Sequence, residues 1–396
     1  MATETALPPD RISRLSGAAM PLVAMDVRRI DHFGFGTHIR NTVRGLMELP
    51  PRLHYALLGS RDDLRQWPQL PDHFRGIEME TSEAAPSNLL RLPWRLRQLG
   101  ANLLHVPHHE WVPLWLPCPY LVTVHDLVEF VLPQAAGRSR GWGLRRRLVR
   151  RSLHRAARIV AVSESTRRDI MRQFRVPFAH IQVVKNAIDE ELRRPASGEE
   201  RAQAAARYAL DTPFVLYAGS VQPHKNIGRL IEAFAALKAG LAGTRWETLK
   251  LVVIGDEPSR HPGLRRTVIR SRMRSEVRFL GFVPRETLRA LYAEAAVFAF
   301  PSLHEGFGLP PLEAMAQGTP VVASNSASLP EVMQQAAVLV NPENVFDIHR
   351  GLRQCLLDET LRQKLRAAGL AQVMQFSWRD SARRLEEIYC SLVCRS

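Results

Sequence analysis

Two doubly wound α/β domains in tandem are the architecture this sequence predicts. Three observations carry that expectation. Apolar runs of strand length recur along the chain, helical apolar patterns or long loops separate most of them, and one polar stretch near the middle divides the series in two. With 396 residues, 45% of them apolar, the chain can bury a core in each half, which excludes disorder as its main state. Its 23 Gly and 27 Pro are ordinary for a loop-rich α/β protein and exclude collagen-like chains.

In the first half, strands are expected at 21–27, 55–58, 103–106, 120–124, 159–162 and 181–184; in the second, at 214–218, 249–254, 277–280, 296–300, 320–323 and 337–340. Between them EELRRPASGEERAQAAARYALDT, 190–212, is polar and has no strand-like run. After Phe376, Trp378, Ala382, Leu385, Ile388 and Leu392 recur at helical spacing, the mark of a terminal amphipathic helix. The expected domains are therefore 1–195, a linker at 196–212, 213–375, and a terminal helix at 376–396.

The 54 Lys plus Arg outweigh 39 Asp plus Glu, a net charge of +15. Most of the excess lies in the segment 138–175, which opens on Arg138, closes on Arg175 and carries 13 Arg against Glu164 and Asp169, a net of +11. Leu144, Leu148, Val149, Leu153 and Ala157 can share one helical face there while Arg145, Arg146, Arg147, Arg150, Arg151, Arg155 and Arg158 crowd the rest. A solvated helix face explains this as well as an anion-binding surface does. Cys118, Cys355, Cys390 and Cys394 are irregularly spaced and lack a His cluster to complete a zinc site, so a reducing compartment is expected. The stretch MATETALPPDRISRLSG lacks the layout of a secretory signal, and no apolar run is long enough to cross a membrane. A cytoplasmic protein with, at most, peripheral membrane contact is expected.

Two stretches carry chemistry. In the first, a strand ends at Phe300, a Gly-rich loop with the candidate donor-binding residues Glu305, Gly306, Phe307, Gly308 and Leu309 follows, a helix opens at Pro310 or Pro311, and another strand starts after Gly318. A helix N-terminus beyond the carboxyl end of a parallel strand suits a diphosphate. Glu305 in the loop and Glu313 in the helix can face one crevice and accept from two sets of hydroxyls; alone, either has an ordinary reading as a loop residue or a dipole partner. In the second stretch, a strand runs into Gly219 and Ser220, and a loop carries His224, Lys225 and Asn226 into an amphipathic helix. Lys225 is thus placed to stabilise a departing phosphate. In the N-terminal half, Gly34 and Gly36 lie between the first strand and a helix; a tight turn explains this G-x-G equally well.

These residues resemble the family-four glycosyltransferases. Glu305-x7-Glu313 within EGFGLPPLEAMAQGTPVVAS is the most specific part, joined by the Gly219–Lys225–Asn226 unit and by TVHDL at 123–127, VSESTRRDI at 162–170 and VKNAID at 184–189. The resemblance implies a GT-B fold, two Rossmann-like domains facing across a cleft with the terminal helix crossing back. It further implies a retaining hexosyltransferase that uses a nucleotide diphosphate sugar, needs no cofactor, and acts on a carbohydrate or lipid-linked acceptor. By resemblance, Glu305 contacts the donor sugar, the amides of Gly306, Phe307 and Gly308 assist, Glu313 holds the ribose, Lys225 faces the diphosphate, and His125 lies near the reacting sugar. Where many members carry an Arg, this chain has Ser220 or His224, leaving His224 or Arg229 as the second diphosphate cation.

The sequence contains no Asp-x-Asp; Asp62 and Asp63 are adjacent, so a metal-held diphosphate is disfavoured. An epimerase of the same fold is a rival reading, while a pyridoxal phosphate phosphorylase lacks its lysine context. Nucleic-acid binding through the Arg-rich segment is disfavoured because only Trp142 and Phe174 are interleaved there for stacking. An anionic membrane surface is the partner expected for 138–175.

Overall fold

The computed structural model describes residues 20–31, 34–79, 87–109, 112–113, 115–132, 141–256 and 260–394. Naming helices of two turns or more, the N-terminal domain runs β1 (Leu22–Asp26), α1 (Phe35–Met47), β2 (His54–Gly59), β3 (Phe74–Glu78), α2 (Asn88–Leu99), β4 (Leu103–Val106), β5 (Tyr120–Val124), α3 (Trp142–Arg155), β6 (Arg158–Ala161), α4 (Glu164–Phe174) and β7 (Ile181–Val183). The second runs α5 (Gly198–Arg207), β8 (Phe214–Ala218), α6 (Ile227–Ala239), β9 (Lys250–Ile254), α7 (Pro262–Arg270), β10 (Val277–Gly281), α8 (Arg285–Glu294), β11 (Val297–Phe300), α9 (Leu309–Ala316), β12 (Val321–Ser324), β13 (Ala337–Val340), α10 (Val345–Leu357), α11 (Glu359–Val373) and α12 (Trp378–Val393).

Both sheets are parallel throughout, in the orders β3-β2-β1-β4-β5-β6-β7 and β10-β9-β8-β11-β12-β13. Central strands such as β1, β5 and β8 are buried along their length, as helices on both faces require. Successive β1 residues feed opposite layers: Val23 and Met25 pack with α1, Ala24 with α2 and α3. The two doubly wound domains are as expected. β3 is an addition to the expected strands: at the sheet edge it buries only Phe74, while Arg75, Gly76 and Glu78 face solvent, so it shows no apolar run.

The segment 196–212, expected as a linker, carries α5, whose Ser197 caps its first turn by accepting from Glu200 N. It lies on α8 through Arg201–Glu294 at 3.3 Å and Arg289–Glu200. The chain passes between domains at 184–196 and again at 376–378. Arg193 Nη2 donates to Phe376 O at 2.8 Å and Trp378 Nε1 to Ile188 O at 3.0 Å, so the two crossings are tied together. α12 then returns to the N-terminal domain, where Ala382, Leu385, Ile388 and Tyr389 join the core beside Ile39 and Val43. Gly45 allows the approach: a Cβ there would lie 2.8 Å from Trp378 O and 2.9 Å from Ala382 Cβ.

Candidate functional site

In the second sheet the strand order reverses between β8 and β11, and a ligand crevice lies at such a switch point, beyond the carboxyl ends. The loop after β8 brings Lys225 there, and the loop after β11 brings Glu305. Lys225 Nζ donates to Glu305 Oε1 at 2.6 Å, with side-chain exposures of 16% and 11%. The loops are also joined through their backbones, since Leu303 N donates to His224 O at 2.7 Å. Asn226 stands at the N-cap of α6 but its side chain does not cap the helix, contrary to the role its residue type favours. Its Nδ2 instead donates to Pro301 O at 2.9 Å and Pro342 O at 2.6 Å, while Oδ1 accepts from Arg229.

Gly219 leaves β8 at φ 152°, and Tyr217 OH donates to Ser220 O at 2.9 Å, which closes the turn. Gly308 (φ 104°) precedes α9, whose first turn reads Leu309-Pro310-Pro311-Leu312. The two prolines have no N–H, so this N-terminus offers fewer donors to an anion than its position implies; Leu309 and Leu312 carry them. Ser328 Oγ lies 2.9 Å from both Glu305 O and Phe307 O and shares its proton between them.

Glu313 has different neighbours from Glu305. Its Oε2 accepts from Tyr292 OH at 2.9 Å, and burial pushes its carboxyl up to about 7 despite that bond and the Arg285 charge. Near neutrality it therefore holds a proton part of the time. His224 is lowered by burial and then by the Lys225 charge, against the raising effect of Glu305 and Asp126. It is uncharged at pH 7, which argues against it as a second diphosphate cation. Arg229 is engaged with Asn226, its Nη1 donating to Asn226 Oδ1 at 3.0 Å.

From the N-terminal domain, His125 Nε2 lies 2.9 Å from Pro107 O; a carbonyl only accepts, so Nε2 carries the proton and Nδ1 is the bare acceptor. The rings of His38 and Phe35 flank it at 4.5 Å and 4.9 Å. Burial lowers its pKa to about 3, opposed by the Pro107 carbonyl and helped by His109, His108 and His105. Gly306 meets this residue across the domain boundary: a Cβ on Gly306 would lie 1.6 Å from His125 O. Only glycine permits that contact. Gly34 precedes α1 at φ 90°, and a Cβ on Gly36 would sit 1.8 Å from Ile30 O, so Gly36 is required by the turn itself. His32 and Phe33 of the same loop lie outside the described residues.

The basic segment is not one helical face. α3 ends at Arg155, Ala157 lies in the bend that follows, and Arg158 opens β6, where the chain pairs with β5. Val149 and Leu153 are buried, whereas Leu144 is 63% exposed. Arg146 turns inward, its Nη2 donating to Gln173 O at 2.8 Å and its guanidinium over the Trp142, Phe130 and Phe174 rings. Arg145 pairs with Glu129 at 2.5 Å, while Arg147, Arg150 and Arg151 are exposed. Arg138 and Arg140 lie outside the described residues. Among the described residues, no group of three or more His, Cys, Asp or Glu could hold a metal ion, and no helix is long and apolar enough to cross a membrane.

Sequence reasoning missed Tyr292 and Ser328. Both are ordinary residues in ordinary contexts; only the folded chain shows that one meets Glu313 and the other the Glu305 carbonyl.

The model of the glycosyl transferases group 1 matches residues 199–372, and that of glycosyltransferase family 4 matches 34–192. The chain is 35% identical over 300 residues to O-antigen chain mannosyltransferase B of Escherichia coli, covering 76% of this chain and 77% of that one. It is also 35% identical over 240 residues to the serotype-specific mannosyltransferase WbdA of Escherichia coli, covering 60% of this chain and 29% of that longer one. The crystal structure of Anabaena HepE in complex with UDP-glucose superposes with a TM-score of 0.73 at 17% identity, covering 93% of this chain and 99% of that one. Two parallel sheets, two family models that meet at the domain crossing, and a mannosyltransferase relative aligned over three quarters of the chain agree: this chain belongs to the family-four glycosyltransferases and is a hexosyltransferase of the GT-B fold.

Proposed function

We propose that this enzyme moves a mannosyl residue from a nucleoside diphosphate sugar to a hydroxyl of a cell-envelope polysaccharide or glycolipid acceptor, retaining the anomeric configuration and using no metal ion. The observation that carries the reading is the Lys225–Glu305 pair at the switch point of the second sheet. A lysine ammonium and helix N-termini supply the positive potential a leaving diphosphate needs, and Glu305 supplies acceptors for sugar hydroxyls. The mannosyltransferase relatives support the choice of sugar. Of the described carboxylates beside the site, Glu305 is paired with Lys225 and Asp126 Oδ1 accepts from Val128 N at 3.2 Å, which favours a route without a covalent nucleophile. The acceptor oxygen then bonds to the anomeric carbon on the face from which the diphosphate departs, and its proton passes to the departing phosphate oxygen.

The test is a screen of GDP-mannose, UDP-glucose, UDP-galactose and UDP-N-acetylglucosamine by thermal shift, followed by mannose transfer in EDTA. GDP-mannose is expected to raise Tm and to be turned over with the chelator present. Activity lost in EDTA and restored by magnesium or manganese would overturn the metal-free reading; preference for another sugar would overturn the donor.

The reading extends to the acceptor's location. Arg147, Arg150 and Arg151 beside exposed Leu144 make a basic, partly apolar face on α3, and each basic residue at an anionic bilayer contributes about 1 kcal/mol. Wild type should pellet with anionic liposomes at low salt, less so as salt rises, and the triple Gln variant of those arginines should not. Equal pelleting of both proteins with anionic and neutral vesicles would leave a soluble acceptor as the better reading.

A further inference from the structure

The two residues flanking Glu305 are held by the other domain. His304 Nε2 lies 3.0 Å from Asp169 Oδ2, and Thr166 Oγ1 donates to Gly306 O at 3.1 Å. Asp169 and Thr166 are both on α4, and all four residues are buried. The direction of the Thr166 hydroxyl is set locally: Ser163 Oγ donates to Thr166 Oγ1 at 3.1 Å, leaving the threonine proton for the Gly306 carbonyl.

A second route joins the same elements. The amides of Glu164 and Ser165, which the first turn of α4 leaves without helical partners, donate to Glu331 Oε1 and Oε2 at 3.2 Å. Thr166 N donates to Ser163 Oγ, so all three first-turn amides are satisfied, two of them by the C-terminal domain. A carboxylate at a helix N-terminus also gains from the helix dipole. Glu331 sits one turn beyond Ser328 in the short helix Leu329–Met333, and Ser328 is the residue whose hydroxyl holds the Glu305 and Phe307 carbonyls. Docking α4 therefore acts on the Glu305 loop twice, directly at Gly306 and through Glu331 and Ser328.

We propose that the N-terminus of α4 is an interdomain latch, with Thr166 and Glu331 as positioning residues that set the Glu305 loop against Lys225 when the domains are closed. The acceptor-side domain thereby completes the donor-side charge constellation, and the sugar is transferred only when both domains are engaged. This rests on the reading of Glu305 and Lys225 as the reacting-site pair.

Thr166→Val keeps the side-chain shape and removes the hydroxyl; Thr166→Ser keeps the hydroxyl. With GDP-mannose as donor, Thr166→Val is expected to lower kcat about tenfold, the equivalent of one lost buried hydrogen bond, with donor KM within about twofold of wild type. Thr166→Ser should retain about half of wild-type kcat or more, and Glu331→Gln should fall in kcat as Thr166→Val does. A wild-type kcat in Thr166→Val, or equal losses in Thr166→Val and Thr166→Ser, would overturn the latch. If wild type turned over none of the screened nucleotide sugars, the functional reading would fail separately. The latch would then be read from amide exchange of residues 302–308, which should quicken in Thr166→Val and not in Thr166→Ser; equal protection in all three proteins would overturn it.

Discussion

Glu305→Ala and Lys225→Ala each lower sugar transfer by about a hundredfold or more, the usual consequence of losing one preorganised electrostatic contact, worth ~2.7 kcal/mol. The two changes are not independent. At 2.6 Å and with little exposure, each group is the other's partner, so Lys225→Ala also leaves the Glu305 carboxylate half-buried beside no cation. The double variant should therefore be less impaired than the product of the single losses, by an interaction energy of roughly 1–3 kcal/mol. The loss should fall mainly on kcat, because the charge on the diphosphate grows as its bond to the sugar breaks. Steady-state kinetics of purified variants with unchanged melting behaviour make the check. Wild-type rates in both single variants would remove this pair from the reaction, and strictly multiplicative losses would mean that each acts on a different step.

The pair was legible as two separate loops and not as a contact. Gly219 to Lys225 after one strand, and Glu305 to Gly308 after another, are local patterns, and local patterns survive in a one-dimensional reading. That β8 and β11 are neighbours follows from strand order, which periodicity does not record. The same gap hid the latch. VSESTRRDI reads as a capped helix start, and Ser163 does cap it through Thr166 N; that the distant Glu331 takes the amides of Glu164 and Ser165 is a tertiary fact. β3 escaped because an edge strand with one buried residue has no apolar signature. The arginine face was over-read for the opposite reason: composition counts every Arg in 138–175 alike, whereas Arg146 is folded over three aromatic rings and Arg158 lies in a strand. His125 was placed by its context after a strand, but its neutral state depends on burial and then on three other histidines, His109, His108 and His105, and those meet only in the folded domain.

That histidine cluster leads to an expected acid lability. His38 and His125 are lowered to about 3, in both cases chiefly by burial, and His105 is held well below its ordinary value by burial and by the neighbouring His38 and His108. Within the cluster His38 bonds Asn186, and His105 lies between Thr123 and Tyr389. Above pH 6.5 all three are neutral whether the chain is folded or not, and they leave stability unchanged. As pH falls below 6.5 the unfolded chain takes up three protons that the fold refuses, those of His38 and His125 until near pH 3, so stability declines with falling pH. Glu313 acts in the opposite sense. Folded, it protonates near 7 and unfolded near 4.5, so it favours the fold as pH drops through that window. For these four groups alone, one proton against three leaves a net loss of about 2–3 kcal/mol per pH unit at most between about pH 6 and pH 5, beside a typical domain stability of about 5–15 kcal/mol. All three histidines belong to the N-terminal domain and Glu313 to the other, so the N-terminal domain should melt first. Calorimetry between pH 6.5 and 5, above the range where ordinary carboxylates titrate, separates this effect from general acid denaturation. His38→Gln removes one of the cluster's three protons and should visibly flatten the slope of N-terminal-domain stability. Identical stability profiles for wild type and His38→Gln would show that His38 is protonated in the fold at these pH values, and that the cluster is not what limits the protein in acid.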